Sequence, residues 1–362
     1  MNGGIVQATL IFDKSFIEML NLDELFELSV FFDLVSTPIL RKEILANLQK
    51  KSTEERNALF VMKSLCSKMS RSGIEPMEYW SALYELDSGR AIPMHGALLI
   101  DASAPNVRIG RGGGIHIDGR ELQWDWRRWA EGIFTEEELT LAADHRRMVD
   151  DYDPDALCKQ WRPKGAQWFG DCKSIKQITA KIDSLIDDAA LPAQELILSL
   201  TTGWLCATDG FKQHLLNLLR SGRMGQVKDY APFATSVVRL SLVYQFSLVR
   251  GFIGPRRSDI CDLEYLYYVP FCRFFVSGDR LHRALWEATT TKAMFCNGAE
   301  VKADLKLRVQ LRKEAPDKVA GPEPIPLENS VLSKMFEHLH SLRRRPSPRP
   351  AAGSISSKPP IE

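Results

Sequence analysis

Several things are scarce in this 362-residue chain. Its seven cysteines (66, 158, 172, 206, 261, 272 and 296) are scattered and odd in number, with no CxxC pair among them. That spacing argues against a disulfide framework or a cysteine zinc site and fits reduced thiols. A charge surplus is missing too: 47 Lys+Arg stand against 46 Asp+Glu, so no whole-chain attraction to nucleic acid or membrane follows. There is no long uninterrupted apolar run either. The most apolar stretch, Phe233 to Ile253, is broken by Arg239 and Arg250, whereas a membrane span wants about 20 apolar residues. The opening MNGGIVQATLIFDKSF has no basic region ahead of an apolar run, so no signal peptide is expected. The expectation is a soluble cytoplasmic protein of about two domains' length, at roughly 100–200 residues each, or one domain with a large insertion.

What is present is a strand–helix alternation at both ends of the chain. ATLIF (8–12) is a short apolar run stopped by Asp13, as in a buried strand of an α/β sheet. Phe16, Met19, Leu20, Leu25 and Leu28 follow at helical spacing, and Val30 to Val35 reads as a second strand. Thr37-Pro38 then opens a helix striped by Ile39, Leu40, Ile44, Leu45 and Leu48, since Thr caps and Pro favours the first helical position. From about Ser52 to Tyr230 helices dominate, over 54–70, 135–149, 175–189 and 194–206, with a Gly/Pro-rich hairpin over 97–122. A long helix over 233–252, another over 260–268 and a strand FCRFFVS (271–277) restore the alternation. A short helix follows over 330–342, and the final RRRPSPRPAAGSISSKPPIE has too few apolar residues for a core and reads as disordered.

Four acids fall where such a sheet places functional groups. Asp13 and Asp279 each follow a strand; Glu43 lies one and a half turns into the Pro38 helix; Asp262 lies near the start of the 260–268 helix. Loops beyond the carboxyl ends of parallel strands gather at one edge, where ligands bind. Carboxylates converging there repel one another unless a cation joins them, and an all-oxygen set selects a hard divalent ion, Mg²⁺ or Mn²⁺. Taken one at a time, each acid reads equally as a helix cap or a solvated charge.

IFDKSF followed by TPILRKEILANL resembles the opening of the PIN-like nucleases, with an Asp after the first strand and a Glu on the second helix. SDICDLEYLYYVPFCRFFVSGDRLH resembles that superfamily's closing half. The resemblance covers about 1–50 and 250–290 and is closest to a bacterial PIN-like family with a long mid-chain insertion. It implies an α/β fold, a PIN-like parallel sheet flanked by helices and split by a large, mostly α-helical insertion. On that reading 1–50 is the first half of the PIN-like domain, 51–232 the insertion, 233–300 the second half, 301–340 an extension and 341–362 a basic tail.

The same resemblance makes Asp13, Glu43, Asp262 and Asp279 the catalytic and metal-holding residues, directly or through water, with Asp259 and Glu264 as nearby substitutes for Asp262. Ser15 would orient the Asp13 carboxylate and, with Lys42, Arg256 and Arg257, makes up the substrate-side set; Arg forks match phosphate oxygens. His282 would touch a phosphate or be structural. The implied activity is metal-dependent phosphodiester hydrolysis with Mg²⁺ or Mn²⁺, on RNA first, with no membrane partner and homo-oligomerisation left open. The alternative is a non-catalytic PIN-like nucleic-acid-binding or scaffold protein.

Three other motifs were weighed. GRGGG (110–114) has Ile115 where GxGxxG needs its third Gly, so it reads as a turn. DYDPD (151–155) is followed by Ala156 and Arg162 where a calcium loop needs Gly and Glu. WDWRRW (124–129) fits either base stacking with Arg at the backbone or a buried Trp126/Trp129 face, the second favoured. The tail from Ser341 carries Arg343, Arg344, Arg345, Arg349 and Lys358 against Glu362, which leaves a mildly acidic body.

Overall fold

The computed structural model describes residues 8–49, 55–69, 75–96, 107–109, 115–117, 120–289, 291–315 and 326–343. Four strands form one parallel sheet: β1 (Ala8–Phe12), β2 (Phe32–Val35), β5 (Phe274–Ser277) and β6 (Met294–Asn297), in the order β2-β1-β5-β6. A separate antiparallel pair, β3 (Val107–Ile109) with β4 (Ile115–Ile117), is what is described of the expected hairpin; the rest of 97–119 lies outside the described residues. β1 is central, with Leu10 opposite both Leu34 and Phe274, and Leu10, Ile11 and Phe12 are fully buried. A parallel strand covered on both faces must be apolar along its length, which ATLIF satisfies.

The first layer of helices is α1 (Lys14–Met19), α2 (Leu22–Phe31) and α3 (Pro38–Ala46). Local signals start each one. Asp13 caps α1, Asn21 and Glu24 form a capping box on α2, and Thr37 caps α3 with Pro38 inside. α2 runs through Phe31, so Val30 and Phe31 are helical and the second strand is only Phe32–Val35. The strand expected over 271–277 is likewise trimmed: Val269–Phe271 is a 3₁₀ turn and β5 starts at Phe274.

The middle of the chain is helical: α4 (Glu55–Met69), α5 (Ser81–Ser88), α6 (Arg120–Glu131), α7 (Glu136–Asp151), α8 (Pro154–Phe169), α9 (Ile175–Asp187), α10 (Leu191–Trp204), α11 (Asp209–Arg220), α12 (Val227–Tyr230) and α13 (Pro232–Val249). α13 is the common spine, touching α5, α8, α9 and α10. Gly165 of α8 lets the two backbones close in; a Cβ there would sit 2.6 Å from Val249 Cγ1. Among the described residues α13 is the helix long and apolar enough to cross a membrane, and 78% of that window is buried inside the protein. Trp126 and Trp129 are fully buried and meet edge to face at 4.9 Å, so the core reading of WDWRRW holds for those two rings.

α14 (Asp259–Tyr267) and α15 (Arg280–Leu285) flank β5. β6 and α16 (Gly298–Glu314) complete the sheet unit, and neither was resolved from the sequence pattern. α16 packs on α2 through Arg308, which pairs with Glu27 at 3.1 Å in a fully buried bridge. α17 (Val331–Arg343) packs on α16 and β6 and sets Phe336 against Phe31 and Phe32. The segment expected as an extension thus shares the sheet's core.

Candidate active site

The strand order places the site. β1 sends its chain to β2 on one side and lies against β5 on the other, which makes the β1/β5 carboxyl ends a topological switch point, where open parallel sheets bind ligands. Phe12 is opposite Val276, and the Asp13 N–H donates to the Val276 carbonyl, so Asp13 emerges beside Ser277.

Asp13 is 3% exposed and fully engaged. Its carboxylate accepts from the Phe16 N–H at 2.8 Å, the Ser15 hydroxyl at 2.9 Å and the Ser277 hydroxyl. Ser15 does orient this carboxylate. Burial by itself would raise the Asp13 pKa. The hydrogen bond and charge of His282, with the Ser277 and Phe16 bonds, outweigh burial and hold the carboxyl below its ordinary value.

His282 is fully buried, which removes it from any contact with bound phosphate. Its Nε2 lies 2.7 Å from the Asp262 carbonyl, which only accepts, so Nε2 carries a proton. Its Nδ1 is 2.7 Å from Ser277 Oγ and 3.5 Å from Asp13 Oδ2. The single Ser277 proton goes to the carboxylate, so Nδ1 needs its own proton to bond Oγ. Protonation of the ring would satisfy both contacts. Burial opposes that charge, but Asp13 and Asp262 overcome it and raise the His282 pKa.

Glu43, on α3, accepts from the Tyr265 hydroxyl of α14 at 2.5 Å. Burial raises its pKa against the pull of Lys14 and Tyr265, and Asp13 adds to the rise. Asp262, in the first turn of α14, is pushed up to about 7 by burial; His282 opposes this, and the charges of Asp279, Glu43 and Asp13 reinforce it. Asp262 therefore lies within electrostatic reach of Asp13, Glu43 and Asp279, and Glu43 within reach of Asp13. Asp279 caps α15, accepting from the Leu281 N–H at 2.6 Å. Asp259 is fully buried, with one carboxylate oxygen on Arg256. Glu264, also buried, is pushed up to about 7 by burial, with Lys42 opposing.

The expected phosphate contacts fare differently. Lys42 pairs with Glu78 at 3.1 Å and Glu264 at 3.8 Å, an arrangement that occupies its charge. Its neighbour Arg41, not among those expected contacts, pairs with Glu75 and Asp125. Arg256 bridges Asp259 at 3.0 Å and Asp279 at 3.4 Å, and Arg257 is exposed. Lys14 stands by the site, bonded to Asn47 at 3.2 Å. Sequence reasoning missed Ser277 and Tyr265. Ser277 carried no sequence signal of its own, since its place beside Asp13 follows from the pairing of β1 with β5.

Carboxylate oxygens are the donors a hard divalent ion takes, and burial, reinforced by the neighbouring acids, raises the Asp262 pKa to about 7. Their present spacing does not form a closed cage, and among the described residues no three His, Cys, Asp or Glu side chains stand as a ready-made ligand group. No family model, curated protein or solved structure matches this chain.

Proposed function

We propose that this chain is a PIN-like, metal-dependent nuclease, with RNA as first substrate and endonucleolytic hydrolysis of a phosphodiester as its reaction. The observation that supports the reading most is that Asp13, Glu43, Asp262 and Asp279 come from four separate elements to the switch point of a parallel sheet, where burial, reinforced by the charges of the other three acids, raises the Asp262 pKa. Asp13, Glu43, Asp262 and Asp279 would hold Mg²⁺ or Mn²⁺, directly or through water. When bound, such an ion supplies the charge that offsets the developing phosphate charge and acidifies a water. Arg257, exposed, is a guanidinium for a phosphate oxygen, and Arg256 becomes available once Asp279 turns to a cation.

A second reading, a PIN-like scaffold that binds nucleic acid without turnover, draws on the pairing of Asp13 with His282 and of Asp279 with Arg256. The two readings part on one assay. End-labelled single-stranded RNA is incubated with the protein and Mn²⁺, with chelator as control. The expected result is chelator-sensitive internal cleavage that Asp279→Asn abolishes, since Asn still caps α15 and the fold is kept. Binding without cleavage would establish the scaffold reading.

A further inference from the structure

The outer face of α8 interleaves aromatic rings with cations. Lys164 and Trp168 stand three and seven residues after Trp161, so the three share one side of the helix. At a rise of about 1.5 Å per residue, the two rings lie roughly 10 Å apart along the axis. Phe246 of α13 anchors both from behind, with Trp161 edge to face at 5.9 Å and Trp168 tilted at 6.0 Å. Neither ring is enclosed: Trp161 is half-buried and Trp168 is exposed. The Lys164 ammonium lies over the Trp161 ring, 4.8 Å from its centroid. From Lys159 to Lys176 the chain places Lys159, Arg162, Lys164, Lys173 and Lys176 against a single acid, Asp171. All five cations are exposed, and among the described residues none of them is in an ion pair, whereas Asp171 is taken by Lys181 at 2.5 Å. The Arg250 guanidinium, at the end of α13, donates to the Gly170 carbonyl just past α8 at 3.1 Å. From Arg250 the chain runs on through Arg256 and Arg257 to α14, which links the α8 surface to the guanidiniums at the acidic edge.

We propose that this face of α8 binds single-stranded RNA, with bases stacked on Trp161 and Trp168 and phosphates held by Lys164 and the cations around it. The choice of RNA rests on the reading of the chain as a ribonuclease; the choice of a polyanion with open base faces rests on α8 itself. Every base has a π face, so exposed rings beside a basic track take a single strand without reading its sequence. A duplex offers the phosphates but keeps its base faces stacked inside. A lipid surface asks for a wide apolar face on the helix. Between its two rings α8 exposes Arg162, Pro163, Lys164, Ala166 and Gln167 instead.

The test is fluorescence anisotropy of a labelled single-stranded RNA of about 12 nucleotides with the full chain in chelator, where neither cleavage nor a bound cation plays a part. Wild type is expected to bind it, with an affinity that falls as salt rises, and to bind a duplex of the same length more weakly. Trp168→Ala is expected to weaken the single strand about 5–150-fold, the loss of one stacking platform. Lys164→Gln is expected to weaken it and to lower the salt slope by about 0.7, while Lys334→Gln, on α17, keeps wild-type affinity. Circular dichroism checks each fold; should Trp168→Ala fail to fold, Lys164→Gln, at an exposed position, carries the test. Wild-type affinity in folded Trp168→Ala or in Lys164→Gln overturns the proposal. So does equal affinity for single strand and duplex, or binding to phosphatidylserine vesicles without binding to RNA. Binding through α8 with no cleavage in Mn²⁺ refutes the nuclease reading alone, and cleavage with unchanged affinity in the α8 variants refutes the α8 surface alone.

Discussion

The helical middle of the molecule and the carboxyl edge of its sheet both bury polar side chains, and the threonines of the middle are satisfied differently from the acids of the edge. In the helices Thr201, Thr202 and Thr235 each donate to the carbonyl one turn back, at 2.8 Å. Such bonds form wherever the helix forms and ask nothing of the tertiary fold. At the sheet edge Ser277 bonds Asp13 across 264 residues of chain, and Tyr265 bonds Glu43 across 222. Those bonds exist only once the two ends of the chain have paired. Local satisfaction leaves polar groups chemically quiet, whereas long-range satisfaction fixes charges against each other at one point. That difference sets a charge-rich edge against a packing core in the middle.

The separation can be broken from the packing side first. Phe246, 2% exposed, stacks near Phe169 at 4.3 Å and meets Trp161 and Trp168. Phe246→Ala should cost about 3–5 kcal/mol in denaturant unfolding, while the folded fraction keeps wild-type Mn²⁺ affinity. A shift in that affinity would show that the bundle sets the geometry of the edge.

A smaller effect concerns the seam between the regions. His145 of α7 lies 7% exposed with Nε2 3.6 Å from Cys261 Sγ, and burial, aided by Lys42 and Lys14, pushes it down to about 4. The unfolded chain protonates this ring near 6.5, while the folded chain resists until about 4. Between those values the unfolded state binds more protons, so stability falls as pH drops, by at most about 3 kcal/mol. Urea unfolding of His145→Leu should show a flatter loss between pH 6.5 and pH 4 than wild type. An unchanged slope would mean that other groups carry the acid sensitivity.

Much of this was legible in the residues, and the reasons differ by feature. The caps at Asp13, Thr37 and Asp279 are local chemistry, so their positions could be read directly. Apolar runs marked β1 and β5, but Phe31 continued as helix and Val269–Phe271 as a 3₁₀ turn because packing, not propensity, decided those ends. β6, with only Cys296 buried along it, was too faint to register. The four acids were found because each sits at the end of a strand or in the body or first turn of a helix. Ser277 and the engagement of Lys42 by Glu78 and Glu264 were not, because both depend on which segments meet in space.

The central claim is that the acids at the β1/β5 switch point hold one divalent cation. Anomalous diffraction from crystals soaked in Mn²⁺ tests it directly. The account predicts an anomalous peak bonded to Asp13 and at least one of Glu43, Asp262 and Asp279, directly or through water. Mn²⁺ bound only elsewhere, or no peak at an accessible edge, would contradict it.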